Sequence, residues 1–382
     1  MVAEAAHPRP SYSASDFTDF AHAGPGTLAG RYLRRYWHPV HLAADLPAGH
    51  ARPIRVMNEE FTLYRGEGGE PHLVAYRCAH RGTQLSTGWV EGDCIRCFYH
   101  GWKYDGSGQC VEQPAEDAGF ASKVRIASYP VVEYLGLIFV YLGEGDPPPA
   151  PRFPDFETGG VLETDGYVRH CNYFQNIENG PDEVHLAFVH HETHGLPVVP
   201  RVDVEETDYG LVQYGTRPNQ PVRVTHIQMP NILRIRTPSR EPEETGWRNY
   251  VSWRVPRDDT SHYTFVAHLI QLTGEAAERY RARRVMPDPS VPPPDDVAAA
   301  VLRGEARLDD MKDYPYLLSA QDTVAQVGQG PIADRTRERL GRSDVGVFLI
   351  RKLWSQELRA LAEGRPLRQW ANPEKLETTA GV

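Results

Sequence analysis

The chain reads as an α+β protein in which an all-β unit comes first and an antiparallel sheet flanked by helices follows. Three observations point there. Before residue 145 the text is a series of short β-like runs punctuated by glycines. Gly143 to Pro154 then carries Pro147, Pro148, Pro149, Pro151 and Pro154, a stiff extended segment suited to a boundary. Beyond it come longer strand candidates and a helical last third.

Before the β unit, a short helical candidate ends in Leu33-Arg34-Arg35-Tyr36-Trp37, where His38-Pro39 stops it. The β-like runs are Ile54 to Val56, Phe61 to Tyr64, Leu73 to Tyr76, Val131-Val132 and Leu137 to Leu142. In the second unit they are Leu211 to Tyr214, Val222 to Ile227, Ile232 to Ile235, Tyr250 to Val255 and His262 to Leu272. Residues 287–296, rich in Pro and Asp, read as an exposed loop. Between Val345 and Gly364 the apolar residues recur at helical spacing. The expected division is an N-terminal helical segment at 1–39, the β unit at 40–146 and a second domain at 155–382.

At 382 residues, 40% hydrophobic and 24% charged, the chain can bury a substantial core. No apolar run approaches the roughly 18 residues of a membrane helix, and Met1 to Ser15 lacks the apolar stretch of a signal peptide, so no membrane role and a cytoplasmic location are expected. A formal charge of -10 offers no basic stripe for phosphates, which argues against nucleic acid as a partner. Cys78, Cys94, Cys97 and Cys110 crowd together while Cys171 stands apart, an odd count that suggests metal or redox chemistry before disulfides.

The densest chemical text is Cys78-Ala79-His80-Arg81-Gly82, then Cys97-Phe98-Tyr99-His100-Gly101-Trp102. A Rieske [2Fe-2S] centre takes two thiolates on one iron and two imidazoles on the other, and two loops each giving one Cys and one His meet that demand. Structural zinc accepts the same donors, with Cys94-Ile95-Arg96-Cys97 as a possible knuckle. The matched Cys/His offsets on a β-rich background favour the cluster, leaving Cys94 and Cys110 as bystanders.

A second constellation is Asp182, His185 and His190. Iron(II) that must bind O2 beside a substrate takes two His and a carboxylate on one face. Helical geometry alone does not select this His pair, because positions five apart lie about 140° apart around a helix, and His191 and His194 compete on spacing. Asp182, three residues before His185, can share a helical face with it and accept the other ring N–H of a liganding imidazole. Arg248, Arg254 and Asn249 are candidates to recognise a substrate carboxylate, with surface ion pairing as the plainer role.

These motifs resemble the Rieske non-haem iron ring-hydroxylating oxygenases, in the phthalate dioxygenase and aryl O-demethylase branch. The likeness runs through Gly24-Pro25-Gly26-Thr27 to Trp37, the two Cys/His loops, D-x-x-H-x-x-x-x-H at Asp182, His185 and His190, and Gln321-Asp322 to Asp344. It implies a helix-grip catalytic domain after the Rieske domain. Cys78 and Cys97 would hold one iron of the cluster, and His80 and His100 the other. A mononuclear iron would sit on His185, His190 and Asp322, with Asp334 and Asp344 as alternatives for the carboxylate. Asp182 would bridge to His100 of a neighbouring subunit in a head-to-tail homotrimer.

The resemblance further implies O2 as co-substrate and NAD(P)H-derived electrons from a separate ferredoxin or flavin reductase, since no G-x-G-x-x-G fingerprint follows a strand here. The expected reaction is hydroxylation or O-demethylation of an aromatic acid. Cis-dihydroxylation is the alternative within the family, and a Rieske electron carrier without oxygen chemistry the alternative outside it.

Overall fold

The structure, a computed structural model, describes residues 12–117, 119–191, 198–238, 245–283, 290–373 and 376. After helix α1 (Leu28–Leu33) come eleven strands: β1 (Trp37–Leu42), β2 (Ala51–Val56), β3 (Glu59–Arg65), β4 (Pro71–Ala75), β5 (Trp89–Glu91), β6 (Cys94–Arg96), β7 (Lys103–Asp105), β8 (Cys110–Glu112), β9 (Ser128–Tyr129), β10 (Val131–Tyr134) and β11 (Leu137–Tyr141). They form three small antiparallel sheets, ordered β1-β11-β10, β2-β3-β4-β9 and β5-β6-β7-β8.

The second unit carries β12 (Val161–Arg169), α2 (Tyr173–Asn179), α3 (His185–Phe188), β13 (Arg201–Glu206), β14 (Gly210–Thr216), β15 (Arg223–Gln228), β16 (Ile232–Pro238), β17 (Trp247–Asp258) and β18 (Ser261–Ile270). Helices α4 (Gly274–Arg283), α5 (Pro294–Leu302), α6 (Leu317–Val327) and α7 (Val345–Glu363) follow. The seven strands make one antiparallel sheet in the order β12-β18-β17-β16-β15-β14-β13, so the expected α+β arrangement of a β unit followed by a sheet with helices is what the chain adopts.

Side chains alternate along β17 and give the sheet two working faces. On one, Trp253 packs edge-on against Phe139 (ring centroids 5.4 Å apart) and Phe153 (5.6 Å), joining the sheet to the N-terminal unit. On the other, Arg254 reaches α2, donating from Nε to Asn176 Oδ1 at 3.3 Å. One apolar core runs from Leu33 and Phe139 through Trp253 to Trp354 of α7. A separate small core of Cys78, Leu85, Ile95, Cys97, Trp102 and Tyr104 backs the cysteine loops.

Several expectations are corrected. Helix α1 stops at Leu33, and Trp37 instead opens β1, because its backbone pairs with Tyr141 of β11. Strands β12 and β13 were not expected, since Glu163, Asp165, Gly166, Asp203 and Glu205 dilute their β signal, yet pairing with β18 and β14 fixes them. The Pro/Asp stretch expected to be loop at 287–296 contains the start of α5, where Pro294 and the acids Asp295 and Asp296 occupy a helical first turn that suits them. Residues 287–289, like His194, lie outside the described residues. Among the described residues, no helix is long and apolar enough to cross a membrane.

Candidate metal centres

The two cysteine loops are built alike. Cys78 N–H donates to Thr83 O (2.8 Å) and Gly82 N–H to Cys78 O (3.0 Å); in the second loop, Cys97 N–H donates to Trp102 O (2.8 Å) and Gly101 N–H to Cys97 O (3.1 Å). Gly82 and Gly101 both have φ of 74°, which only glycine adopts without steric cost. Each loop thus buries a sulfur and turns an imidazole outward: Cys78 and Cys97 are 3% and 2% exposed, whereas His80 is half-buried and His100 exposed.

The donors approach in like pairs. The rings of His80 and His100 lie with centroids 4.4 Å apart. Burial pushes the Cys97 thiol up, and the Cys78 sulfur is close enough to add to that effect. His80 Nδ1 is buried with no hydrogen-bond partner among the described residues, and Trp102 stacks on the ring at 4.6 Å. Tyr104 accepts from Ala79 N–H (3.2 Å) and lies 3.2 Å from Cys78 Sγ, leaving its O–H aimed at the sulfur.

Four donors around one zinc would all fall within a few ångströms of one another. Among the described residues, the one group of three or more metal-ligating side chains with all donor atoms within 4.8 Å is His185, His190 and Asp322. The cysteine loops are absent from it. Sulfur pairing with sulfur and imidazole with imidazole, without all four converging, suits a two-iron cluster and not a zinc knuckle.

The triad draws on two segments, the stretch 182–190 and α6. Pro181 cannot continue α2, and the chain turns through Asp182, whose Oδ1 accepts from Val184 N–H (3.1 Å) and His185 N–H (3.2 Å). His185 Nδ1 donates to the Asp182 main-chain carbonyl, while the Asp182 carboxylate stands 3.9 Å from the ring. The expected carboxylate orienter of His185 is therefore replaced by the backbone of the same residue. Further on, His190 is 1% exposed; its Nδ1–H donates to Gln321 Oε1 (3.0 Å) and its Nε2 lies 3.2 Å from Asp322 Oδ1. Burial pushes the Asp322 carboxyl up, but the His190 contact outweighs it and holds the group at about 2, ionised as a ligand must be.

The competing residues are used otherwise. Asp334 accepts from Thr336 N–H (3.1 Å) and Oγ1 (2.6 Å), and Asp344 from Gly341 N–H (2.6 Å), both closing turns. His191 points outward, its Nδ1 2.7 Å from Phe188 O. Glu178 accepts from Arg335 (2.8 Å) and Arg351 (2.6 Å), and so serves an ion cluster. Asn249 reaches Asp155 O at 3.1 Å.

Two positioning residues were not expected from the sequence. One is Gln321. The other is Glu183, whose carboxylate is fully buried and accepts from Arg217 (2.8 Å) and Arg223 (2.7 Å), tying the Asp182 turn to the sheet. Gly215 of β14 makes room, since a Cβ there would lie 2.5 Å from Glu183 Oε1.

Comparison with known proteins gives the chain its family. Residues 36–130 match the Rieske [2Fe-2S] domain. Over 370 residues, 92% of this chain and 82% of the relative, it is 32% identical to the 5,5'-dehydrodivanillate O-demethylase oxygenase subunit of Sphingobium sp.. The chain belongs to the Rieske non-haem iron oxygenases. It is likewise 31% identical to the phenoxybenzoate dioxygenase subunit alpha of Ectopseudomonas oleovorans, over 94% of this chain and 86% of that one. In fold, this Rieske oxygenase is similar to the oxygenase in its reduced complex with ferredoxin from carbazole 1,9a-dioxygenase (TM-score 0.63, 21% identity, covering 92% of this chain and 95% of that chain). It is an oxidoreductase whose cofactors are a Rieske cluster and a mononuclear iron, working with O2 and electrons from a reductase.

Proposed function

We propose that this Rieske oxygenase is the terminal component of a system that hydroxylates or O-demethylates an aromatic acid. The cluster would sit on Cys78, Cys97, His80 and His100, and the mononuclear iron on His185, His190 and Asp322. The observation carrying the reading is the convergence of those three donors within 4.8 Å, the two-His, one-carboxylate set that non-haem iron oxygenases use. When bound, the cluster supplies one-electron transfer and the ferrous iron supplies O2 activation.

The protein's own groups prepare that chemistry. Hydrogen bonds at Nδ1 of both imidazoles, to the Asp182 carbonyl and to Gln321, direct Nε2 of each toward Asp322. His100 is exposed at the tip of the β unit beside Phe98 and Tyr99, which are 66% and 52% exposed. Asp182 has a side chain 35% exposed. Two accessible ends of this kind suit electron passage from His100 of one subunit to Asp182 of the next in a head-to-tail trimer, and the exposed tip suits docking of a ferredoxin or flavin reductase.

For demethylation, O2 with two electrons and two protons converts a methoxy carbon to a hemiacetal that collapses to phenol and formaldehyde, with one oxygen leaving as water. The relative named an O-demethylase favours this outcome; the one named a dioxygenase favours ring dihydroxylation as the second reading. An electron carrier alone would have no use for the triad.

The test is iron and acid-labile sulfide analysis of anaerobically purified protein, wild type and His185→Ala, followed by turnover with methoxylated aromatic acids. Three irons and two sulfides per chain, with one iron lost in the variant while cluster absorption persists, are expected. Formaldehyde marks demethylation and a diol marks dioxygenation. Zinc without sulfide would overturn the reading.

A further inference from the structure

An arginine stands immediately before the cysteine in both cluster loops, and each reaches the carbonyl of the glycine that closes its own loop. Arg77 Nη1 donates to Gly82 O (2.9 Å) and Arg96 Nη1 to Gly101 O (2.7 Å). The two clips share one pattern, but their surroundings differ. Arg77 lies exposed over the Tyr76 ring, its guanidinium carbon 5.3 Å from the centroid, and makes no ion pair among the described residues.

Arg96 is 8% exposed and fully engaged. Its Nε and Nη2 donate to Glu91 of β5 (2.9 and 2.8 Å), and its Nη1 and Nη2 to Glu112 of β8 (3.2 and 2.8 Å). With the Gly101 carbonyl, every N–H of the guanidinium then has an acceptor. Strand register makes this possible: Arg96 pairs with Trp89 of β5 and with Lys103 of β7, and Lys103 with Glu112 of β8, which sets these side chains in a row. Lys103 Nζ lies 3.0 Å from Glu112 and 3.5 Å from Glu91, and Trp89 Nε1 donates to Glu91 Oε1 (2.7 Å). Arg96 holds the carboxyls of Glu91 and Glu112 down at about 2, so both stay ionised. Paired charge-assisted bonds fix a planar fork; a single exposed bond does not.

The loops also differ in cover. Phe98, Tyr99 and His100 are all exposed, whereas His80 is half-buried and stacked on Trp102. His100 is also the ligand through which the reading above passes electrons.

We propose that Arg96 is a positioning residue for the cluster, which fixes the His100 imidazole through the Gly101 carbonyl, while Arg77 contributes little to its counterpart at His80. The inference rests on the assignment of the cluster to these two loops and adds a residue that supplies no ligand.

The experiment follows cluster absorption of the full-length anaerobic holoprotein in excess chelator, in wild type, Arg96→Gln, Arg96→Lys and Arg77→Gln. The electron paramagnetic resonance spectrum of the dithionite-reduced cluster is recorded alongside. Cluster loss is expected to be about 10- to 100-fold faster in Arg96→Gln and within about twofold of wild type in Arg77→Gln. Arg96→Lys keeps the charge without the fork and should fall between. The spectrum reads ligand orientation, so it should shift and broaden in both Arg96 variants and stay as it is in Arg77→Gln. A cluster as long-lived in Arg96→Gln as in wild type or Arg77→Gln overturns the proposal. So does a weaker but unshifted spectrum, which would make Arg96 merely structural.

If neither Arg96 variant folds, amide hydrogen exchange of the wild-type holoprotein decides. Residues 97–101 include more exposed positions than 78–82, yet should exchange about 10-fold more slowly. Equal or faster exchange overturns the proposal. Wild-type protein without acid-labile sulfide would instead defeat the assignment of the cluster itself.

Discussion

Gln321 accepts the Nδ1–H of His190 at 3.0 Å, one residue before Asp322 approaches the other nitrogen of the same ring. The amide oxygen fixes the tautomer, leaving Nε2 as the lone-pair donor. Gln321→Leu is expected to weaken iron binding about 10- to 100-fold. Competition against a chelator, with cluster absorption as internal control, checks this; unchanged iron affinity would show that His190 needs no such partner. Gln321→Glu keeps the acceptor and should hold iron.

Glu183 fastens the turn carrying His185 to the sheet through Arg217, whose side chain is 2% exposed, and Arg223, 25% exposed. Glu183→Ala leaves a buried guanidinium uncompensated, a loss on the order of 3–5 kcal/mol. Urea denaturation of the iron-free protein reads it directly. A midpoint equal to wild type would mean that Arg217 finds water or another partner.

Tyr104 presents its O–H to Cys78 Sγ at 3.2 Å. In the loaded protein this sulfur is an electron-rich cluster ligand, and a donated hydrogen bond stabilises the reduced cluster, which carries more negative charge. Tyr104→Phe should therefore lower the midpoint potential, by roughly 40 mV if one ordinary hydrogen bond is lost. Spectroelectrochemical titration decides, and a potential that rises would reverse the assigned donor.

His38, in β1, is fully buried and pushed down to about 4, by burial first, against the hydrogen bond to Leu33 O. Its folded pKa lies below its unfolded one, so the unfolded chain binds the extra proton between pH 6.5 and 4. The stability contribution is complete above pH 6.5 and is lost as pH falls through that window, by roughly 3 kcal/mol. Thermal unfolding of wild type should be steeper in pH there than that of His38→Gln. Parallel curves would place the acid sensitivity elsewhere.

Much of this protein is local text. Cys78-x-His80 and Cys97-x-x-His100 sit on contiguous turns, so spacing carries them, whereas Asp182, His185 and His190 share one short stretch in which only the family pattern singles out His190 over His191 and His194. Asp322 lies on α6, far along the chain, and became a candidate only through family resemblance, because nothing in its neighbourhood distinguishes it from Asp334 or Asp344. Gln321 and Glu183 were invisible for the same reason: each acts on a residue of another element. Strands such as β17 announce themselves by aromatic and branched residues, whereas β12 and β13 owe their form to neighbours that no local window contains. Arg254 could be named as a candidate, but its burial is a property of the fold.

The alternation along β17 has a further consequence for how such an enzyme changes over time. Trp253 packs the strand against Phe139 and Phe153, while Ser252 and Arg254 face Asn176 of α2. Two separate sets of neighbours are thus written on alternate letters of one short word. A lineage can rewrite positions 252 and 254, and with them the hold on α2, while the intervening tryptophan keeps the two units packed together.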